Sequence, residues 1–424
     1  MLGRIQDWFE RNGNGKTVLV GWIVTRALIL VIFALFESYV VGDVYYYQRK
    51  IVAMFDVGLP KTLNEYPTPV AWILTIPYVL GAGTQTGYAI AFVAAMMALD
   101  AGFTFLLWRH NGHRHDRSIT FWLLFVLLIG PLSYLRFDIL PAVLAGAALL
   151  YARRVPWVTG ALTGLGAAIK LWPALLWLAF LAHKPTRKPV TVAFLASGVG
   201  LAVLSLVFGG WSRLISPLTW QSGRGLQIES VWATPLMIAR AADPQRWTVD
   251  MSRFQAFEIF GPGVSALLLL SNVATLLGLA AMIVLYVRGF RATRPDQVAI
   301  GLVVLSIVAI MIVTNKTLSP QYLLWLGGPM AALLLLKRTE VTEPEQRTIR
   351  RLAAQLLVLA LLTQLVYPAL YDGLLSRRGQ AMLVVATIVT ALRNLALLAF
   401  SVELVVQAWR FLGVNRTPQP EPPA

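Results

Sequence analysis

The sequence predicts an all-α polytopic membrane protein, a bundle of about 12 helices that cross the bilayer. Three observations carry that reading. Hydrophobic residues make up 57% of the 424 positions and charged residues only 13%, against about 25% charged in soluble domains. Mean hydropathy is +0.67. The apolar residues fall in long runs separated by short basic clusters. A chain this poor in charge has too little polar surface to cover a water-facing globule, so hydrocarbon must be its solvent.

Apolar runs, cut where charges and turn residues gather, place spans at 17–37, 86–108, 118–133, 139–152, 156–169, 171–183, 190–209, 262–287, 297–314, 319–336, 351–369 and 379–408. Several are shorter than the ~20 residues a perpendicular helix needs. Pro141, Pro156 and Pro173 punctuate 139–183, which leaves the count there open by one pair of helices. The first run, Thr17 to Phe36, is too long for the apolar core of a signal peptide and lacks a small-x-small cleavage site. It reads as an uncleaved first span.

Orientation follows from the basic residues. With the N-terminus cytoplasmic, the segments 1–16, 109–117, 153–155, 184–189, 288–296, 337–351 and 409–424 hold 21 of the 36 Lys and Arg residues. The opposite segments hold 13, spread over much longer stretches. Short, basic inner loops are what the positive-inside rule requires, so both termini are expected inside. Two long loops then face outward, 38–85 and 210–262. The first contains Pro69–Leu80, an apolar run too short to span and expected as a juxtamembrane helix lying in the interface. The second is rich in Trp (Trp211, Trp220, Trp232, Trp247), as suits a loop resting on headgroups. Residues 1–416 are expected to form a single transmembrane domain, followed by a proline-rich, disordered cytoplasmic tail, 417–424.

The formal net charge of +16 would suggest nucleic acid in a soluble protein, but clusters between apolar runs suit anionic headgroups instead. There is no cysteine, so disulfides, thiolate chemistry and Cys-ligated metals are excluded. His110, His113, His115 and His183 all fall in predicted cytoplasmic loops, which argues against a histidine metal site outside.

The informative polar clusters map to the outer side, and ionisable groups near hydrocarbon are functional candidates. Asp43 follows the first span with Tyr45 and Tyr46 beside it; it is either a general base for an acceptor hydroxyl or a helix N-cap. Glu65, before the rigid Tyr66-Pro-Thr-Pro69 turn, binds a sugar hydroxyl or caps the short apolar helix. Arg136 and Asp138 pair with each other or orient a ligand. Lys170, alone among apolar residues, binds phosphate as a point charge or snorkels to the interface. Glycines on both sides of Arg224, in a loop that includes Gln227 and Glu229, let backbone approach an anion, or simply make a turn. Lys316, Gln321 and Tyr322, around Pro320, are hydrogen-bond donors lining a cavity or part of an ordinary turn.

One well-placed carboxylate, several cations and many aromatics suit a lipid-linked phosphate and a sugar. They suit transport less, because mid-span charges are few: Arg26, Asp100 and Arg393. A transporter or lipid flippase remains the alternative, and a non-catalytic assembly subunit the third reading.

Four motifs resemble one family: Tyr-Leu-Arg-Phe-Asp138 with Leu140-Pro141, Ala-Ala-Ile-Lys-Leu-Trp-Pro173, Gly-Arg-Gly-Leu-Gln-Ile-Glu-Ser230 and Asn-Lys-Thr-Leu-Ser-Pro-Gln-Tyr322. In this order they resemble the GT-C glycosyltransferases of family 87, the polyprenol-phosphate-mannose-dependent mannosyltransferases of actinobacteria. The layout is similar to that of the phosphatidylinositol mannoside α-1,2-mannosyltransferases. The resemblance implies a GT-C-type bundle in the plasma membrane. It also implies inverting transfer of a sugar, mannose first, from a polyprenyl-phosphate donor to a hydroxyl of a glycolipid or glycan at the outer face. Asp43 occupies the place of the family's general base, and Lys170, Arg224, Lys316 and Arg136 are the candidates for the donor phosphate. Tyr45, Tyr46, Glu65, Asp138, Gln227, Glu229, Gln321 and Tyr322 are the candidates for sugar and acceptor. Gly42-Asp-Val-Tyr45 lacks the second carboxylate of an Asp-x-Asp pair, so no metal or other cofactor is expected.

Overall fold

The computed structural model describes residues 14–293, 295–336 and 341–413; the expected tail at 417–424 lies outside them. Within these residues the chain is almost wholly helical, as a bilayer requires when every backbone group must be satisfied internally. Helix α1 (Gly15–Phe36) begins at a capping box, in which the Asn14 side chain accepts from the backbone N–H of Lys16 and Thr17. After it come α2 (Gly42–Val57), α3 (Thr68–Leu80), α4 (Gln85–His110), α5 (Arg117–Ile129), α6 (Ile139–Tyr151), α7 (Pro156–Ile169) and α8 (Ala174–Phe180). The second half runs through α9 (Arg187–Ser222), α10 (Thr234–Ala242), a hairpin of β1 (Thr248–Met251) and β2 (Phe257–Phe260), α11 (Val264–Arg291), α12 (Gln297–Thr314), α13 (Leu324–Leu335), α14 (Glu343–Gln364) and α15 (Gln380–Leu412).

Seven of these, α1, α4, α9, α11, α12, α14 and α15, are long and apolar enough to cross a membrane. The other five expected spans are shorter: α5 and α6 have 13 residues each, α7 has 14, α8 has 7 and α13 has 12. At about 1.5 Å per residue none reaches across a ~30 Å hydrocarbon core by itself. The run 171–183 departs most from expectation. Lys170 leaves the helix in an extended conformation (φ −138°, ψ 138°) and Pro173 restarts it, so only Ala174–Phe180 is helical.

Helix α12, apolar on every side, is buried on every side and forms the centre of the core. Around it, glycines bring backbones together: a Cβ at Gly328 would run into the Ala142 carbonyl, and one at Gly160 into the Val190 carbonyl. The α6–α13 and α7–α9 contacts are thus small-residue packings of the kind membrane helices use. Arg26 of α1 is paired within the bundle with Asp100 of α4, two bonds of 2.8 and 2.7 Å. Asp100 also accepts from Trp22, Trp122 and Tyr134, each at 2.7 Å, so a costly buried charge pair is saturated with donors.

Each long loop has structure of its own. In the first, the apolar run becomes α3, which buries Val70, Ala71 and Leu74 and leaves Ile76, Val79 and Leu80 exposed, a two-faced arrangement that suits an interfacial helix. In the second, α9 is kinked at Gly210, whose φ of 75° and ψ of 175° only glycine adopts cheaply. The loop continues through α10 and the antiparallel hairpin, whose register pairs Thr248 with Phe260.

Candidate active site

Connections between the helices converge on a cavity of ≈ 540 Å³. Its wall takes residues from α2, the 63–67 turn, the α5–α6 and α7–α8 connections, the loop after α9, the hairpin, the α12–α13 connection and the segment after α14. Ten of the thirteen sequence-predicted residues line it: Asp43, Tyr46, Glu65, Arg136, Lys170, Arg224, Gln227, Glu229, Gln321 and Tyr322.

Asp43 sits in the first turn of α2, where the N-cap position is Val41 and no side chain caps. Its carboxylate is not spent on the helix; it forms an ion pair with Arg136. Of the two readings for Arg136 and Asp138, mutual pairing is not the one found: they take different partners. Arg136 is extended (φ −133°, ψ 146°) and reaches the cavity, whereas Asp138 begins α6 and turns inward. There Asp138 takes Lys170 at 2.9 Å and the Trp325 indole N–H at 2.8 Å.

Lys170 therefore does not snorkel. Its ammonium lies 5.0–5.8 Å from the ring centroids of Tyr66, Phe137, Tyr322 and Trp325, neutralised by Asp138 beneath an aromatic cage. Trp325 extends this wall by stacking on Tyr322 at 4.2 Å and on Trp172 at 5.3 Å.

Glu65 also caps nothing, since the N-cap position of α3 is Pro67 and no side chain bonds to that end. It accepts from the Tyr46 hydroxyl at 2.8 Å, and burial together with that carboxylate holds the Tyr46 phenol above its ordinary range. The turn carrying Glu65 is fixed by Arg213 of α9, which donates to the carbonyls of Tyr66 (2.7 Å) and Leu63 (3.1 Å).

The glycine-flanked loop lies along the hairpin. Ile228 donates to Phe257 O (3.1 Å) and Ile259 to Leu226 O (3.0 Å), while Gly225 N–H donates to Glu258 at 3.0 Å. A Cβ at Gly225 would collide with that carboxylate, so glycine is needed for the close approach. Arg224 is left with unspent donors. Among the described residues its guanidinium makes one long hydrogen bond, to Gln227 Oε1 at 3.4 Å, and its buried Nε has no partner.

Glu229 is 1% exposed and one of its oxygens has no hydrogen bond. Burial pushes its carboxyl up to about 7, against the opposing pull of Arg393, the Tyr371 hydroxyl and Arg136. Arg393, one of the few mid-span charges, donates to the Glu229 carbonyl at 2.9 Å, and Asn394 beside it holds the carbonyls of Glu229 and Ser230.

Three predicted residues lie off the wall. Asp138 is behind it, under Trp325. Lys316 turns to the Ser222 carbonyl at 3.0 Å, and burial lowers its ammonium. Tyr45 is on the other side of α2, because positions 43, 46 and 47 share the face that lines the cavity. Sequence reasoning missed Tyr367, Tyr371, Asp372 and Arg377, all on the wall. The signal was present: a polar segment between the last two apolar runs, on the same side as the other clusters. Among the described residues no three His, Asp or Glu side chains gather in a way that could hold a metal ion.

The model of glycosyltransferase family 87 matches residues 64–251, somewhat under half of the chain. That segment contributes Glu65, Arg136, Lys170, Arg224, Gln227 and Glu229 to the wall, while Asp43 and the 315–322 and 367–377 segments lie outside it. The similarity supports glycosyltransferase activity, with a sugar donor and an acceptor as substrates. No curated protein matches, and no solved structure does.

Proposed function

We propose that this chain is an inverting glycosyltransferase that moves a sugar, mannose first, from a polyprenyl-phosphate donor to a hydroxyl of a glycolipid or glycan acceptor. The reaction takes place at the outer face of the plasma membrane, with both termini inside. One observation carries this reading: a single cavity gathers a carboxylate free of any capping role, an arginine with unspent donors and a broad aromatic wall.

In the proposed reaction the acceptor oxygen attacks the anomeric carbon and its proton passes to the Asp43 carboxylate. The bond from that carbon to the phosphate oxygen breaks, the electron pair stays on the prenyl phosphate, and configuration inverts. Arg224 takes the departing phosphate; Lys170 is already neutralised by Asp138, and Lys316 donates to the Ser222 carbonyl. Arg136 holds the Asp43 carboxylate in orientation until the phosphate competes for it. The wall's aromatic side chains, Tyr322 among them, flank the sugar, with Gln321 and Glu65 offering polar contacts. The proposed reaction is written without a metal, with Asp43 paired to an arginine.

The test uses purified protein in proteoliposomes with labelled polyprenyl-phosphate mannose and a membrane-lipid acceptor fraction. A covalently mannosylated product is the expected result. Movement of the donor across the bilayer with no covalent product would replace this reading with transport.

A further inference from the structure

A second cavity, ≈ 500 Å³, lies between the last turns of α11 and α15. Helix α11 starts beside the hairpin of the candidate active site and has 28 residues, so this cavity sits roughly 40 Å away, at the opposite end of the bundle. Among the described residues, two cations and no carboxylate line it. The Arg288 guanidinium lies 3.7 Å over the Trp409 ring, and its Nε donates to the Trp409 carbonyl at 2.9 Å, which fixes the group in place. Arg291, three residues further along the same helix, is exposed. Below the arginines Ile283, Val284 and Val287 present an exposed aliphatic wall running toward the middle of the bundle.

A fixed guanidinium, a second one within a turn and an aliphatic wall beneath them match the head and tail of one class of molecule. We propose that this pocket binds an anionic phospholipid, its phosphate between Arg288 and Arg291 and an acyl chain along Ile283, Val284 and Val287. A free phosphate would use the arginines and leave the aliphatic wall bare; the wall is why the occupant is a lipid. Basic pockets at helix ends recognise acidic headgroups in this way. The site is independent of glycosyl transfer.

The full-length protein is equilibrated in mixed micelles holding equal amounts of phosphatidylglycerol and phosphatidylcholine, and the lipid retained per chain is counted by native mass spectrometry. An arginine facing a headgroup gives roughly a fivefold preference, so the pair gives the wild type about 25-fold enrichment in the anionic lipid. Arg291→Gln, at an exposed position, lowers this about fivefold. Val284→Trp, which fills the wall and leaves both arginines, lowers it comparably. Arg410→Gln, at the same end but outside the pocket, leaves it unchanged. Equal loss in Arg410→Gln, no enrichment in the wild type, or full displacement of the lipid by inorganic phosphate would each overturn the assignment.

Discussion

Asp43 and Arg136, from the start of α2 and the connection before α6, form an ion pair on the wall of the cavity. The pair fixes where the carboxylate points. Arg136→Gln removes that restraint without removing the base. A misoriented base is expected to cost about 10²-fold in kcat, with the melting temperature in detergent little changed. Steady-state kinetics with saturating donor checks this.

Arg224 is a cation on the cavity wall with donors to spare, and Lys316 is turned to a backbone carbonyl. Arg224→Gln is therefore expected to raise the donor KM by about 10- to 100-fold, the range for losing charge-assisted bonds to a phosphate. Lys316→Gln is expected to change it by less than about threefold. Equal effects in the two variants would remove Arg224 from its role.

Glu229 gives the fold a dependence on pH whose sign is fixed. Its carboxyl is raised to about 7, above the ~4.3 of an unfolded chain. The folded state thus holds the proton more tightly. The associated stability is fully present below about pH 4 and is lost as pH rises through about 7, on the order of 3 kcal/mol in all. Glu229→Gln stays neutral, so its melting temperature should exceed that of the wild type by more at pH 8.5 than at pH 5.5. A difference that does not vary with pH would show that Glu229 is charged throughout.

Asp100 is the hub of the buried network around Arg26. Asp100→Ala leaves that arginine without a counter-ion, held by the Leu123 carbonyl and the Thr25 hydroxyl, at an expected cost of about 3–5 kcal/mol. Thermal unfolding in detergent measures the loss. Trp22 and Trp122 both donate to Asp100, so their fluorescence should shift in the same variant.

Most helices were legible in the sequence because charge and turn residues mark their ends. The run 297–314 is helix α12, and 156–169 is helix α7. The loop boundary at 209/210 falls on the Gly210 kink. Span length was less legible. Hydropathy alone does not separate a helix that crosses lipid from one buried by other helices, and α5, α6 and α13 are of the second kind in length and burial. The site followed the same division. Residue type and side of the bundle brought Asp43, Glu65 and Arg224 together, since each polar cluster has to lie at a helix end. Pairing between clusters was hidden, because it depends on how helices distant in the sequence pack. Asp138 therefore finds Lys170 rather than its neighbour Arg136, and Arg213 holds the Glu65 turn with no local sign of doing so.

The most direct test of the central claim is transfer by purified Asp43→Asn protein, measured with labelled polyprenyl-phosphate mannose beside the wild type. The wild type is expected to form product with inverted anomeric configuration. The variant, with its melting temperature retained, is expected to turn over at about one-hundredth of that rate or less, the scale of losing a general base. Turnover at the wild-type rate in Asp43→Asn would contradict the account.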